Sequence, residues 1–308
     1  MKLAILSRSR SIYSTRRLVE AARARGHQVR VVDPLEVQMV LGGGTPALFL
    51  RDRPFPRCDV VIPRIGLSIN QYGLAVVNQL GLLGVPVLNS ALGIAASRNK
   101  MRCLQLLAAH GVRVPPTVMA SNPARLREMV KRVGGLPVLV KLISTNEKTG
   151  VMVCETLESL ESALEAILRL GKNTLVQQYL RGARGRDLRA LVVGGRVVAA
   201  VRRRPRAGRL ARTLALGAKF EAADLPPAYS RAALEAARIV GLEVCAVDML
   251  EAKGGPRVFE VNSSPGLREA EEACGCDVAG AIVERAAALA SARGASRAGE
   301  AAARRAVL

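Results

Sequence analysis

Residues 247–266, VDMLEAKGGPRVFEVNSSPG, place the tightest limit on what this chain can become. Glycines 254 and 255 supply the backbone angles of a sharp reversal, so the segment reads as two short strands joined in a β-hairpin. With the turn centred on Gly254, antiparallel pairing sets Asp248 opposite Glu260, and the two-residue period sets Asn262 on the face of Glu260. Like charges that face each other on a sheet repel, so this arrangement asks for a cation between them. Magnesium suits it, being a hard ion that takes carboxylate and amide oxygens and keeps positions open for phosphates. The plainer reading is a hairpin with one wet face, in which Val247, Met249, Phe259 and Val261 alternate with the polar residues.

The rest of the chain supplies a host for such a hairpin. Residues 2–7 read as a short apolar strand, 15–25 as an alanine-rich helix ended by Gly26, and 28–32 as a second strand, which is a βαβ opening. Short apolar strands at 59–63 and 85–88 flank a helix near 72–83, so residues 1 to about 90 form a parallel-sheet domain. It has no GxGxxG loop, and Gly42-Gly43-Gly44 follows no clear strand, which argues against a dinucleotide site. Residues 65–97 carry no charge, yet Asn70, Gln71, Asn78, Gln79, Pro86 and Asn89 interrupt them, as in a buried α/β core rather than a membrane span. The apolar run at 3–6 flows directly into a strand and does not read as an export signal.

The middle of the chain carries the charges of interest. Ser97 is placed to cap a helix with Met101, Leu104, Leu107 and Ala108 at helical spacing, stopped by Gly111. Lys100 lies in its first turn, against the helix dipole, as either a solvated side chain or one awaiting an anion. Lys141 sits in the strand 137–143 among Val138, Leu139, Val140 and Leu142, where it either guards a sheet edge or reaches a phosphate. After a helix at 157–170 comes a strand, 174–180, with a polar end. Two more strands, 189–193 and 197–201, are joined by Gly194-Gly195, and a helix at 228–240 precedes the hairpin. Between positions 181 and 212 stand eleven arginines and one acid, Asp187, either a field for polyphosphate or acidic peptide or a solvated basic face. A helix at 279–290 follows the hairpin, and residues 291–308 are low-complexity, a frayed helix or a disordered tail.

Composition narrows the function classes. The net charge of +21 would suit a polyanionic partner, but the excess is nearly all arginine and aromatics are 3% of the chain, too few for stacking platforms, which argues against direct nucleic-acid binding. Six scattered cysteines without a CxxC pair, Cys274 and Cys276 included, argue against a zinc ribbon or a disulfide framework and fit a reducing cytoplasm. Two histidines, His27 and His110, leave little for histidine metal sites or Ser-His-Asp catalysis.

A lysine at a helix start, a second in a later strand, a polar strand end, and Asp, Glu and Asn on a hairpin together resemble the ATP-grasp ligases. The stretches MKLAILSRS, VVDPLE, VVIPRIG, NKMRCLQLLAAHGV, PVLVKL, DLRALVVGGRVVAA, AVDML and FEVNSSPGL are similar, in order and up to the tail, to those of the RimK-type ribosomal-protein glutamate ligases. The resemblance implies an α/β chain with the ATP-grasp fold behind an N-terminal pre-ATP-grasp parallel-sheet domain. Its divisions are 1–96 for that domain, 97–176 for a small lobe, 177–290 for a large lobe with the metal hairpin, and 291–308 for the tail.

The same resemblance implies roles. Lys100 and Lys141 contact ATP phosphates; Gln177, Gln178, Tyr179 and Leu180 form the hinge where the backbone meets adenine; Asp187 holds the nucleotide at the ribose. Ala211, Arg212 and Thr213 lie in the nucleotide segment, where the family carries Arg-Ser-Asn. Asp248, Glu260 and Asn262 coordinate magnesium or manganese, two ions in all, and Arg189 and Arg203, with Lys141, face the reacting groups. The implied reaction phosphorylates a carboxylate with ATP and lets an amine attack the acylphosphate. The carboxylate is a protein or peptide C-terminus, a ribosomal protein in the type case, and the amine is L-glutamate. Family tetramers imply a homo-oligomer. The loop 144–150 has a single glycine where the family is glycine-rich, Gln178 replaces a common glutamate, and 214–217 is Leu-Ala-Leu-Gly where the family is basic. These departures keep two other readings open: a weakened ATP-grasp scaffold that binds an acidic partner or the ribosome, and a glutamate ligase with a small-molecule or carrier acceptor.

Overall fold

Apolar runs broken by glycine make short strands and helices alternate from the first residues. The computed structural model describes residues 1–42, 44, 46–120, 125–142, 151–171, 173–180, 187–204 and 219–306. β1 (Lys2–Leu6), α1 (Tyr13–Ala24) and β2 (Gln28–Val32) form the expected βαβ unit, with β1 and β2 parallel. A small antiparallel sheet that the sequence did not announce follows, built from β3 (Val37–Val40), β4 (Ala47–Leu50) and β5 (Arg53–Pro54). Gly42 and Gly44 lie in the connection from β3 to β4, so they do follow a strand, and both take positive φ there. β6 (Val60–Pro63) pairs in parallel with β1, giving the order β2-β1-β6. α2 (Asn70–Leu82) comes next, and the strand expected at 85–88 reduces to one parallel bridge between Val87 and Val61.

The uncharged stretch then forms α3 (Ala91–Arg98), separated by Asn99 from α4 (Lys100–Ala109). The cap of α4 is Asn99, whose side-chain oxygen accepts from the Arg102 N–H at 3.0 Å. Ser97 is not the cap: it is buried inside α3 and donates to the Ile94 carbonyl at 2.9 Å. Among the described residues no helix is long and apolar enough to cross a membrane.

A four-stranded antiparallel sheet follows. β7 (Thr117–Ala120), α5 (Leu126–Arg132), β8 (Val138–Leu142), β9 (Val151–Cys154), α6 (Leu157–Arg169) and β10 (Thr174–Gln178) give the order β7-β10-β8-β9. Strand alternation gives this sheet two unlike faces. Val138, Val140, Cys154 and Val176 pack under Met129, Val130, Leu160, Leu164 and Ile167 of α5 and α6. Leu139, Lys141, Leu175 and Gln177 share the other face, as their cross-strand pairing requires.

The larger antiparallel sheet comprises β11 (Asp187–Val193), β12 (Arg196–Arg204), β13 (Lys219–Ala222), β14 (Val244–Ala252) and β15 (Gly255–Asn262), in the order β13-β12-β11-β14-β15. One face, with Ala190, Val192, Cys245, Val247, Met249, Val258 and Val261, is covered by α4 and by α7 (Pro227–Val240). The opposite face divides. Leu191, Val193, Ala199, Val244 and Ala246 lie under α1, α8 (Arg268–Cys274) and α9 (Val278–Ala306), together with β1 and β6 of the first domain. Its remaining end carries Asp187, Arg189, Asp248 and Glu260. The backbone of the tail, up to Ala306, continues α9.

Polar contacts tie the first domain to this sheet and to the helices packed on it. Tyr13 and Arg17 of α1 donate to Glu271 at 3.0 and 2.9 Å, and the other Glu271 oxygen accepts the Ala279 N–H at 3.0 Å. Asn89, buried, donates to the Val244 and Ser263 carbonyls at 2.6 and 3.1 Å and accepts from the Glu243 and Val244 N–H groups at 2.8 Å each. One side chain thus joins the entry of β14 to the exit of β15.

Candidate active site

The hairpin is built differently from a simple centred turn. Ala252 pairs with Gly255 around Lys253-Gly254, so an unbroken ladder would place Phe259 opposite Asp248. A β-bulge between Met249 and Asp248 absorbs one residue, and Asp248 then faces Glu260. The expected pair is present, with the bulge as its cause. The bulge also corrects the placement of Phe259. Expected on the apolar face, it lies beside Lys141, whose Nζ is 5.1 Å from the ring centroid.

Asp248 is 1% exposed, whereas Glu260 is exposed and has no hydrogen bond or ion pair among the described residues. The cation facing Asp248 is Arg189, which donates Nε–H to one carboxylate oxygen at 2.7 Å and Nη2–H to the other at 2.8 Å. β11, β14 and β15 set Arg189, Asp248 and Glu260 abreast in one row across the sheet. Arg189 holds the Asp248 carboxyl below its usual range despite the opposing effect of burial. In the neighbouring row Arg203 pairs with Asp187, both largely buried, and one oxygen of Asp187 and the Arg203 Nε have no partner among the described residues. Burial raises the Asp187 carboxyl, with Arg203 opposing. Asn262 pairs with Ala246, and its Oδ1 accepts the Ser264 N–H at 2.9 Å.

The residues fit a divalent cation. Asp248 and Glu260 offer hard anionic oxygens on adjacent strands, and the Asn262 amide oxygen retains a lone pair beyond its one bond. Among the described residues no cluster of three or more His, Cys, Asp or Glu side chains is placed for a metal, so this set rests on two carboxylates and an amide.

Lys141 lies on β8, which is paired on both sides, by β10 and β9. It therefore guards no edge. Its ammonium donates to the Gln177 Oε1 at 2.7 Å; the Gln177 amide donates to Thr117 Oγ1 at 2.8 Å, and the Thr117 hydroxyl to the Pro115 carbonyl at 2.8 Å. Burial pushes the lysine down to about 8, Glu260 and Asp248 oppose that shift, and Lys100 adds to it. Lys141 thus stands beside Phe259 of the hairpin and feels the charges of Lys100 on α4 and of both hairpin acids.

Gln178 lies on the opposite face from Gln177. Its side chain rests against Gly134, and its N–H donates to the Pro116 carbonyl at 2.9 Å. Tyr179 and Leu180, both half-buried, follow it. Ala211, Arg212 and Thr213, and the loop at 144–150, lie outside the described residues. Sequence reasoning had no signal for Thr117 or for the side-chain role of Gln177; a polar residue inside an apolar strand opposite a lysine-bearing strand is the pattern that would have flagged the latter.

Residues 97–286 match the model of the RimK-like ATP-grasp domain, and residues 1–94 that of the RimK PreATP-grasp domain. The probable alpha-L-glutamate ligase of Aeromonas salmonicida (strain A449) is 46% identical over 284 residues, spanning 92% of this chain and 95% of that protein. The ATP-grasp ligase PsnB complexed with a minimal precursor superposes with a TM-score of 0.75 at 21% identity, over 94% of this chain and 98% of that one. The RimK domain ATP-grasp protein of Sphaerobacter thermophilus DSM 20745 does so at 0.71 and 23%, over 93% and 99%.

Proposed function

The chain belongs to the RimK-like ATP-grasp family and is a ligase that forms carbon–nitrogen bonds; on that basis we propose that it adds L-glutamate to the C-terminal carboxylate of a protein or peptide through an acylphosphate, at the expense of ATP. The observation that carries the proposal is the row Arg189, Asp248, Glu260 at one end of the large sheet, with Lys141 beside Phe259 of the same hairpin. Supporting the peptide acceptor, the fold neighbour PsnB is described as bound to a precursor.

Each side chain has a task its geometry suits. Asp248, Glu260 and Asn262 are the residues that would hold magnesium or manganese, one ion or two. Such ions, when bound, neutralise phosphate charge and polarise the transferring group. Lys100 and Lys141 supply positive charge to the phosphates. Gln177 orients Lys141, and Arg189 and Arg203 present planar guanidinium groups suited to carboxylates. Asp187, buried at the head of β11 with one oxygen unpartnered among the described residues, would take a nucleotide hydroxyl. The reaction requires charge placement more than covalent chemistry from the protein, and the site is composed accordingly. The six free cysteines fit work in a reducing cytoplasm.

The test is ADP release with magnesium, ATP and L-glutamate across a panel of peptide C-termini, ribosomal-protein tails and small carboxylates, with intact mass for added glutamyl units. Glutamylated peptide is expected. ADP formation confined to small acceptors would move the acceptor class, and no ADP with any acceptor, together with no magnesium-dependent ATP binding, would overturn the ligase reading.

A further inference from the structure

Both oxygens of Asp248 are held by one guanidinium, at 2.7 and 2.8 Å, and the register that makes Asp248 face Glu260 also makes it face Arg189. We infer that Arg189 is a built-in counter-ion, occupying in the unliganded enzyme the charge position that a divalent cation takes over, and that its displacement frees the guanidinium to bind the carboxylate substrate. The inference rests on the proposed function and assigns an order of events within that site.

Three observations lead to it. Asp248 is buried, and a buried carboxylate needs a partner at all times, which Arg189 provides. A dication ligated by Asp248 and Glu260 would add positive charge beside a carboxylate that the guanidinium already neutralises in a bidentate fork; the fork leaves lone pairs on both oxygens, so ion and arginine compete as charges for one carboxylate. Arg189 retains 19% side-chain exposure and has Glu260 and Glu269 as further acidic neighbours, so it can leave Asp248 without being stranded in an apolar core. Arg203 cannot take its place, because it is engaged with Asp187 one row away.

Competition at Asp248 has a thermodynamic consequence. A released guanidinium needs a new anion, and a substrate carboxylate supplies one. Metal loading and carboxylate binding then favour each other by the same factor, since coupling free energy is reciprocal. Substrate is admitted to a loaded site in preference to an empty one.

The test uses the full chain, Mn2+ as the probe, and a non-hydrolysable ATP analogue, with free Mn2+ followed by electron paramagnetic resonance. In the absence of a carboxylate substrate, Arg189→Gln is expected to bind Mn2+ about tenfold more tightly than the unmodified enzyme, with Arg189→Lys, which keeps the charge without the fork, in between. Saturating L-glutamate and acceptor peptide should tighten Mn2+ binding in the unmodified enzyme and leave Arg189→Gln unchanged. Equal or weaker Mn2+ binding by Arg189→Gln and Arg189→Lys, each with a cooperative unfolding transition, overturns the inference. Asp248→Asn separates the two levels: undiminished Mn2+ binding by that variant would remove the hairpin as metal site, and the inference with it.

Discussion

The Lys141 ammonium is fixed by the Gln177 side-chain oxygen, 2.7 Å away on the adjacent strand, and Gln177 is in turn fixed by Thr117. A lysine side chain has several rotatable bonds, so this anchor removes conformational freedom that the proposed phosphate contact would otherwise have to remove. Gln177 is 1% exposed. Gln177→Leu is therefore expected to weaken binding of an ATP analogue about tenfold, the factor that corresponds to roughly 1.4 kcal/mol, with little change in the fold. Calorimetric titration of the variant measures it, and an unchanged dissociation constant would mean that the lysine is positioned by something else.

The proposed contact of Lys141 with phosphate, together with its lowered titration, predicts that nucleotide binding depends on pH. Burial brings the group from its ordinary 10.5 to about 8, so the free enzyme loses this charge as pH rises through about 8, while phosphate binding requires it. Affinity should be steady below that pH and fall above it, with one proton taken up on binding; Lys141→Arg should flatten the profile. For stability the sign is opposite. Between about 8 and 10.5 the unfolded chain holds a proton that the folded one has released, so this group makes the unliganded protein more stable as pH rises through that window. Dissociation constants and urea midpoints measured across this interval check both statements.

Asp248 and Glu260 face each other yet should respond differently to neutralisation. From the sequence, removing either acid would relieve repulsion. In the structure Asp248 balances Arg189, so Asp248→Asn removes the carboxylate that the guanidinium fork holds and should cost about 3 kcal/mol. Glu260, exposed and unpaired among the described residues, should tolerate Glu260→Gln within about 1 kcal/mol. Both changes should abolish turnover. Chemical denaturation paired with ADP release tests the contrast, and equal stability losses would refute the asymmetry.

Asn89 joins β14, β15 and the first domain through four hydrogen bonds made by one buried amide. Asn89→Ala leaves two N–H groups and two carbonyls of the backbone without these partners, at about 1–3 kcal/mol for each group that stays unsatisfied. A loss of at least about 3 kcal/mol is expected, with Mn2+ binding weakened because Ser263 directly follows the Asn262 ligand position. A loss below about 1 kcal/mol in urea unfolding would mean that water replaces the amide fully.

Much of the architecture was legible because it is local. Alternation marked the strands, glycines marked the turns, and the opening βαβ unit follows from apolar runs of the right length. The β3-β4-β5 sheet was missed because its strands are short and partly exposed, and the strand at 85–88 was overestimated because an apolar run does not reveal whether a partner lies beside it. Asn99 and Ser97 are both good cap residues two positions apart, and only packing against the large sheet buries one of them.

The site divides along the same line. Within one hairpin the sequence set Asp248 opposite Glu260 and Asn262 on the face of Glu260, since residues a dozen apart on two strands have few registers to choose from. It also determined which positions could bear charge, Lys100, Lys141, Asp187, Arg189 and Arg203 among them. The tertiary structure decided which charges meet. Within residues 181–212 the sequence offers the arginines one acid, but β14 brings Asp248 to Arg189 and Glu251 to Arg202 across the sheet. Pairings between residues some fifty to sixty positions apart depend on sheet order and register, and the facing of Asp248 and Glu260 depends on one bulge, which local periodicity does not encode, because loop closure permits many registers and burial of the two faces selects one.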